Sequence, residues 1–412
     1  MRAEVISIGD ELTSGQRLDT NSQWLSLRLG ELGVPVLCHA TVADDLAANV
    51  EVFRQAAARA EIVILTGGLG PTADDLTREA LARLSGQPLV LDEAALEHIK
   101  ALFARRKRPM PERNVVQAMF PAGSKVIANP EGTAPGIAID VKVDGHTSHL
   151  FALPGVPAEM RQMWHQSVVP ALAALGAGRE MIRHRRIKCF GVGESDLEQM
   201  LPDLIRRGRL PQVGITVHEA TITLRITASG ASEAACYAAM DDTVATIHEC
   251  LGKLVFGEED DELEDAIVRL LREQNKTLAT CEWGTAGLVA DWFGALTARE
   301  PYLGGLVGTR GATLASLLDL PSGTLADAKP AAIESLARAC RQRTGADYAL
   351  AIGPFPTSQP ADGEIPRVIF AIASANGEKH ATASYTGHSA IIKPLAAKRA
   401  LDFLRLELLE AT

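Results

Sequence analysis

The sequence predicts an α/β protein in three parts: a three-layer α/β domain, a small α+β linker domain and a second α/β domain. Three observations lead there. Short β-rich apolar runs alternate with helical periodicity over residues 1–178, the pattern of a mostly parallel sheet with helices on both faces. The texture changes over 179–258, where the alternating strand "ITLRITA" and a helix from Ser232 to Leu251 stand apart from that repeat. Strand–helix alternation then resumes over 259–412. A chain of 412 residues is long for one domain.

The elements follow in order. "EVISIG" (Glu4–Gly9) is a strand. "NSQWLSLRLGELG" puts Leu25, Leu29 and Leu32 on one helical face and stops at Gly33. "VPVLCHATV" is a strand, and "DDLAANVEVFRQAAARA" is a helix in which Leu46, Val50, Phe53 and Ala57 recur behind an Asp cap. "EIVILTGGLGPTADDLTREALARLSG" reads as strand, glycine-rich loop, helix. "GIAIDVKVDGHTSHLFAL" is a hairpin around Asp144-Gly145, and "PGVPAEMRQMW" leads into a helix. In the linker domain "FGVGES" reads as a turn before a capped helix. In the last domain "LEDAIVRLLREQ" is helical, and "TLATC", "YLGGLV", "ADYALAIG", "RVIFAIAS" and "KHATASYTG" are strands. Helices are expected over Leu288–Leu296, Ala326–Arg343 and Ser389–Leu409, with a surface loop from Gly353 to Pro366.

Composition narrows the function classes. The chain is 47% hydrophobic, 22% charged and 4% aromatic, the balance of a soluble globular protein. A formal charge of -10 disfavours nucleic acid as a general partner. The basic run "RRKRP" (Arg105–Pro109) reads as a solvated helix end or loop. Six cysteines without a CxxC pair suggest neither zinc nor redox chemistry, and they read as reduced core thiols of a cytosolic protein. No apolar run approaches the ~20 residues that cross a bilayer. The N-terminus enters a strand without the apolar core of a signal peptide.

Three strand-to-helix loops carry the chemistry of the first domain: "GDELTSGQRLDTN", with Glu11 and Asn21; "TGGLGPTADDLT", Thr66 to Thr77; and "LPGVPAEM", with Gly155. In a parallel sheet all three open at the carboxyl edges of their strands, where ligands bind. Gly67, Gly68 and Gly70 let backbone N–H groups approach an anion, and Thr72 and the following helix add donors. Asp74 and Asp75 would repel a phosphate unless a divalent cation lay between. Two readings stay open there: a metal-assisted phosphate site, or simple capping of the helix. A second acidic pair, Asp44-Asp45, opens another helix and could reach the same edge.

"IGDELTSGQRLDTN", "VADD", "TGGLGPTADDLT", "RNVVQAMFPAGSKVIANPEGTAPG" and "LPGVPAEM" resemble, in order and almost unbroken over Met1–Pro170, the N-terminal domain of the CinA family of competence/damage-inducible proteins. That domain resembles the molybdopterin-binding fold of the MoaB and MogA proteins, whose Gly-Gly-Thr-Gly loop is followed by an Asp that falls here on Asp75. Leu69 takes the place of the Thr. The resemblance implies a pyrophosphatase that splits ADP-ribose into AMP and ribose 5-phosphate with Mg²⁺, Mn²⁺ or Co²⁺. Thr66, Gly67, Gly68, Gly70, Thr72, Asn21 and Gly155 would hold the nucleotide. Asp75 and Asp45 would hold the metal, with the base open among Asp75, Asp74, Asp45 and Glu11. It also implies a homodimer acting on a small nucleotide, while charge and hydropathy lead to no nucleic-acid or membrane partner and the cysteines to a cytoplasmic location. A nucleotide- or pterin-binding protein without turnover is the alternative.

The last domain resembles the nicotinamide-mononucleotide deamidase that follows in full-length members. The family's Ala-Glu-Ser-Cys-Thr-Gly-Gly-Leu aligns without a gap on the segment ending "CEWGTAGL" (Cys281–Leu288). Trp283 replaces the Ser nucleophile, Gly284 the Cys and Ala286 a Gly. In "GGLVGTRGATL", Thr309 stands where the family has its Tyr, and Leu314 where it has its Lys. The nucleotide loop has decayed to "AIGPFPTSQP". An indole offers one N–H and no nucleophile, so the resemblance implies a degenerate deamidase domain and argues against an active amidohydrolase.

Overall fold

The computed structural model describes residues 1–178, 180–206, 208–356, 365–388 and 391–411. The chain divides into two compact units, Met1–Arg183 with Ala228–Ala239, and His184–Thr227 with Met240–Thr412.

The first unit follows the expected alternation: β1 (Ala3–Ile8), the one-turn α1 (Asp10–Thr13), α2 (Thr20–Glu31), β2 (Val36–Val42), α3 (Leu46–Arg59), β3 (Ile62–Thr66) and α4 (Thr77–Ser85). Then come β4 (Leu89–Leu91), α5 (Glu93–Arg105), β5 (Met119–Pro121), β6 (Lys125–Ile127), β7 (Gly136–Val143), β8 (His146–Leu153), α6 (Pro157–Met163) and α7 (Val169–Ala174). Six strands form one sheet in the order β2-β1-β3-β8-β7-β6. The neighbours β2, β1, β3 and β8 run parallel, and β7 and β6 antiparallel. Every residue of β1 and β3 is buried, as a strand covered on both faces requires. One core packs Phe53, Leu81 and Ile99 on one face of the sheet, and a second packs Leu25, Leu29 and Trp164 on the other.

Local chemistry explains the boundaries. Asp19, Asp45 and Asp92 each accept a backbone N–H at the start of α2, α3 and α5. The hairpin turn has φ 52 at Asp144 and 80 at Gly145, the positive pair of a two-residue I′ turn. The small β4–β5 pair and α5 are additions to the elements read from the sequence. The basic run begins where α5 ends, at Arg105, and its side chains are exposed.

The remaining elements are β9 (Met181–Cys189), α8 (Glu194–Met200), β10 (Gln212–His218), β11 (Thr221–Gly230), α9 (Glu233–Leu251), β12 (Val255–Glu258), α10 (Leu263–Glu273), β13 (Leu278–Trp283), α11 (Leu288–Ala295), β14 (Tyr302–Gly308), α12 (Gly311–Leu317), α13 (Pro330–Thr344), β15 (Tyr348–Ile352), β16 (Arg367–Ser374), β17 (Gly377–Ser384) and α14 (Ile392–Glu410). They build a four-stranded sheet, β10-β11-β9-β12, and a five-stranded sheet, β14-β13-β15-β16-β17. The expected helix over Ala326–Arg343 starts instead at Pro330, which takes the first helical position because it lacks an N–H to leave unpaired. Part of the loop after Gly353, residues 357–364, and the expected helix start at 389–390 lie outside the described residues. No helix among the described residues is long and apolar enough to cross a membrane.

Candidate functional site

Strand register sets the site. Ser7 pairs with Thr66 and Thr66 with Leu153, so the three strands end in one row. Their following loops, with the end of β2, enclose a cavity of about 530 Å³ at the carboxyl edge of the sheet. The loops named from the sequence do converge there.

The glycine loop is braced from behind. Gly67 and Gly68 take φ 109 and 63. A Cβ on the first would run into the Ile8 carbonyl, and one on the second into the Thr77 hydroxyl. The Thr77 hydroxyl donates to the Gly67 carbonyl at 2.9 Å, and the Thr77 N–H to the Gly68 carbonyl at 3.2 Å. Arg78, 2% exposed, donates Nη2 to the Leu69 carbonyl at 2.5 Å and Nη1 to the Gly70 carbonyl at 3.2 Å. Burial pushes its guanidinium down to about 10, against the pull of Asp75. Asp75 itself accepts the N–H of Gly70 at 2.7 Å, that of Thr72 at 2.8 Å and the Thr72 hydroxyl. Its carboxylate therefore closes the loop.

Asn21 ties two loops together. Its Nδ2 donates to Thr66 Oγ1 at 3.1 Å and to the Gly155 carbonyl at 2.9 Å, while Thr66 Oγ1 donates to the Pro154 carbonyl at 3.2 Å. Thr66 and Asn21 thus act first as braces.

The wall is acidic. Glu11, Asp19, Asp44, Asp74, Asp75 and Glu159 line the cavity, against one guanidinium, Arg17. Asp44 and Asp10 exchange backbone-to-carboxylate hydrogen bonds at 3.0 and 3.1 Å. Burial raises the Asp44 carboxyl above its usual value. The N–H of Asp10 opposes that shift, and the charges of Asp10, Asp74 and Glu11 add to it. Mutual repulsion of this kind is what a cation relieves. Among the described residues no group of three or more His, Cys, Asp or Glu could hold a metal by itself. The wall fits an ion that completes its shell with phosphate oxygens and water, as Mg²⁺ does with one or two carboxylates.

Two residues chosen from the sequence stand elsewhere. Asp45 spends its carboxylate on the N–H of Ala48, at 2.8 Å, and lines no part of the cavity. Its neighbour Asp44 faces in. Thr72 is likewise outside the lining, engaged with Asp75. Gln117 and Glu159 were not legible as site residues. Gln117 reaches the Leu69 carbonyl at 3.4 Å, and Glu159 accepts from Asn129 at 2.7 Å. Gln117 lies in "RNVVQAMF" and Glu159 in "LPGVPAEM", stretches quoted from the sequence without either side chain being singled out.

In the second unit β13 ends at Trp283, 8% exposed, inside an apolar cluster with Leu314, Leu318 and Leu325. Leu314 is fully buried, and Thr309 is exposed. The Trp283 ring lies where a Cβ on Gly311 would go. Glu282, 0% exposed, accepts the N–H groups of Val289 at 3.1 Å and Ala290 at 2.7 Å, and the Thr285 hydroxyl at 2.5 Å. It holds the start of α11. The buried Cys281 thiol, beside Cys340, is pushed well above its ordinary value by that neighbour and by burial, which disfavours a thiolate nucleophile.

Residues 4–174 match the family model described as a probable molybdopterin binding domain, 184–257 that of the damage-inducible protein CinA KH domain, and 260–408 that of the CinA C-terminal domain. A CinA-like protein of Thermomicrobium roseum is 37% identical over 424 residues, spanning 100% of this chain and 98% of the relative. A putative competence-damage inducible protein of Symbiobacterium thermophilum is 38% identical over 381 residues, 90% of this chain and 88% of the relative. One from Bacillus velezensis is 34% identical over 403 residues, 96% of each.

Proposed function

Because the chain belongs to the CinA family of competence/damage-inducible proteins, we propose that its first unit hydrolyses the diphosphate of ADP-ribose or a related nucleotide to AMP and ribose 5-phosphate with a divalent metal ion. The observation that supports this most is that the glycine loop and six carboxylates line one cavity. A diphosphate needs both sides: backbone donors for one phosphate, and charge neutralisation for the other. Asp44 with one neighbouring carboxylate of the wall, Glu11 or Asp74, would hold the ion, which when bound supplies that neutralisation. Asn21 and Thr66 keep the loops in register, and Asp75 keeps the glycine loop closed. Water attacks phosphorus as the bridging P–O bond breaks.

A nucleotide or pterin binder without turnover is the second reading. It is favoured by the commitment of Asp75 to loop hydrogen bonds. The second unit fits a deamidase-like domain without its chemistry, since Trp283 and Leu314 pack into an apolar cluster.

The test measures AMP release from ADP-ribose by the purified chain with Mg²⁺, Mn²⁺ or Co²⁺, and with EDTA. AMP should require metal and fall by at least about 100-fold in Asp44→Asn. Nicotinamide mononucleotide should yield no ammonia. Metal loading without AMP would leave the binding reading in its place.

A further inference from the structure

The geometry points to Thr77 as the positioning residue that turns the N–H groups of Gly68 and Leu69 into the cavity to hold a phosphoryl group. The inference deepens the reading of the first unit as a diphosphate site and rests on it for the ligand class.

A trans peptide points its C=O and N–H in opposite directions. The carbonyl of Gly67 is drawn back by the Thr77 hydroxyl, so the N–H of Gly68 on the same plane points away from Thr77. The carbonyl of Gly68 is drawn back by the Thr77 N–H, so the N–H of Leu69 also points away. Thr77 is fully buried, whereas Gly68 and Leu69 line the cavity. Among the described residues no protein acceptor meets either N–H. The next plane is fixed differently: Arg78 takes the Leu69 carbonyl, and Asp75 takes the Gly70 N–H. One residue thus sets two adjacent free donors, the first through its hydroxyl and the second through its backbone N–H, and two other side chains close the loop after them. Successive N–H groups presented this way form an anion-binding concavity. Gly68, Leu69 and Asp44 line the same cavity.

The probe is inorganic pyrophosphate, titrated calorimetrically against the full chain with Mg²⁺. Thr77→Val keeps the β-branched shape and removes the hydroxyl; Thr77→Ser restores it. Affinity should fall about tenfold in Thr77→Val and return to within about threefold of wild type in Thr77→Ser. Both variants should keep a cooperative melt. Unchanged affinity in a folded Thr77→Val, or no recovery in a folded Thr77→Ser, would overturn the assignment, as would a wild-type chain that does not bind pyrophosphate. Turnover is not part of this readout. A chain that binds pyrophosphate through Thr77 but never releases AMP would sink the hydrolase reading and leave the positioning role intact.

Discussion

Ala286 holds φ at 62 in the turn before α11, between Gly284 at 80 and Gly287 at 81. A side chain there strains against its own backbone. Ala286→Gly should stabilise the chain by about 0.5 kcal/mol, the relief of strain exceeding the added freedom of the unfolded state; a urea midpoint that falls would contradict this. Glu282 carries more. With three donors converging on a carboxylate at 0% exposure, Glu282→Gln should cost about 2 kcal/mol by the same measurement. Asp19 gives a pH signature. Burial pushes its carboxyl up, but the hydroxyl and N–H of Ser22 with the Ser7 hydroxyl bring it below 3.8. Its folded value lies under its unfolded one, so its stabilisation is present above 3.8 and is lost as pH falls toward the folded value. Asp19→Asn should flatten that acid limb while keeping the cap, whereas Asp19→Ala should cost about 1 kcal/mol at neutral pH.

Helix and strand ends explain which acidic residues are free. In the pair Asp44-Asp45 the second residue is the cap of α3, and the first is left to face the cavity. In Asp74-Asp75 the second closes the glycine loop, and the first stays on the wall. Only the first pair is set by capping, since a cap must sit at a fixed step from the helix; Asp75 is set by the loop donors Gly70 and Thr72. At the end of β13 the side chain of Trp283 lies in an apolar cluster. Trp283 packs on the start of α12, against Leu314 and Ala315. Trp283→Ala should destabilise the second unit by about 3–5 kcal/mol. Trp283→Ser should release no ammonia from nicotinamide mononucleotide, because Thr309 and Leu314 supply neither an acid nor a base. Ammonia from that single variant would show that the lost nucleophile was the sole defect.

At the scale of the whole molecule, the sequence by itself determined the alternation of strands and helices, the Asp caps, the hairpin at Asp144-Gly145 and the three loops that carry the site. These rest on period, on capping chemistry and on glycine conformations, which neighbours in sequence settle. The glycine loop was legible because only glycine takes φ 109 and 63 without a clash. Tertiary structure decided that Asp44, Asp74 and Asp75 share one cavity. It brought Gln117 to the cavity from between α5 and β5, and Glu159 from the first turn of α6. It also placed Arg78 behind the loop rather than in it, since burial and carbonyl direction depend on packing. The identity of Trp283 shows a position without a nucleophilic side chain; only the tertiary structure shows the apolar cluster that holds it. Pattern in the chain fixes what each segment can become, and the register of strands remote in sequence fixes which side chains share a cavity.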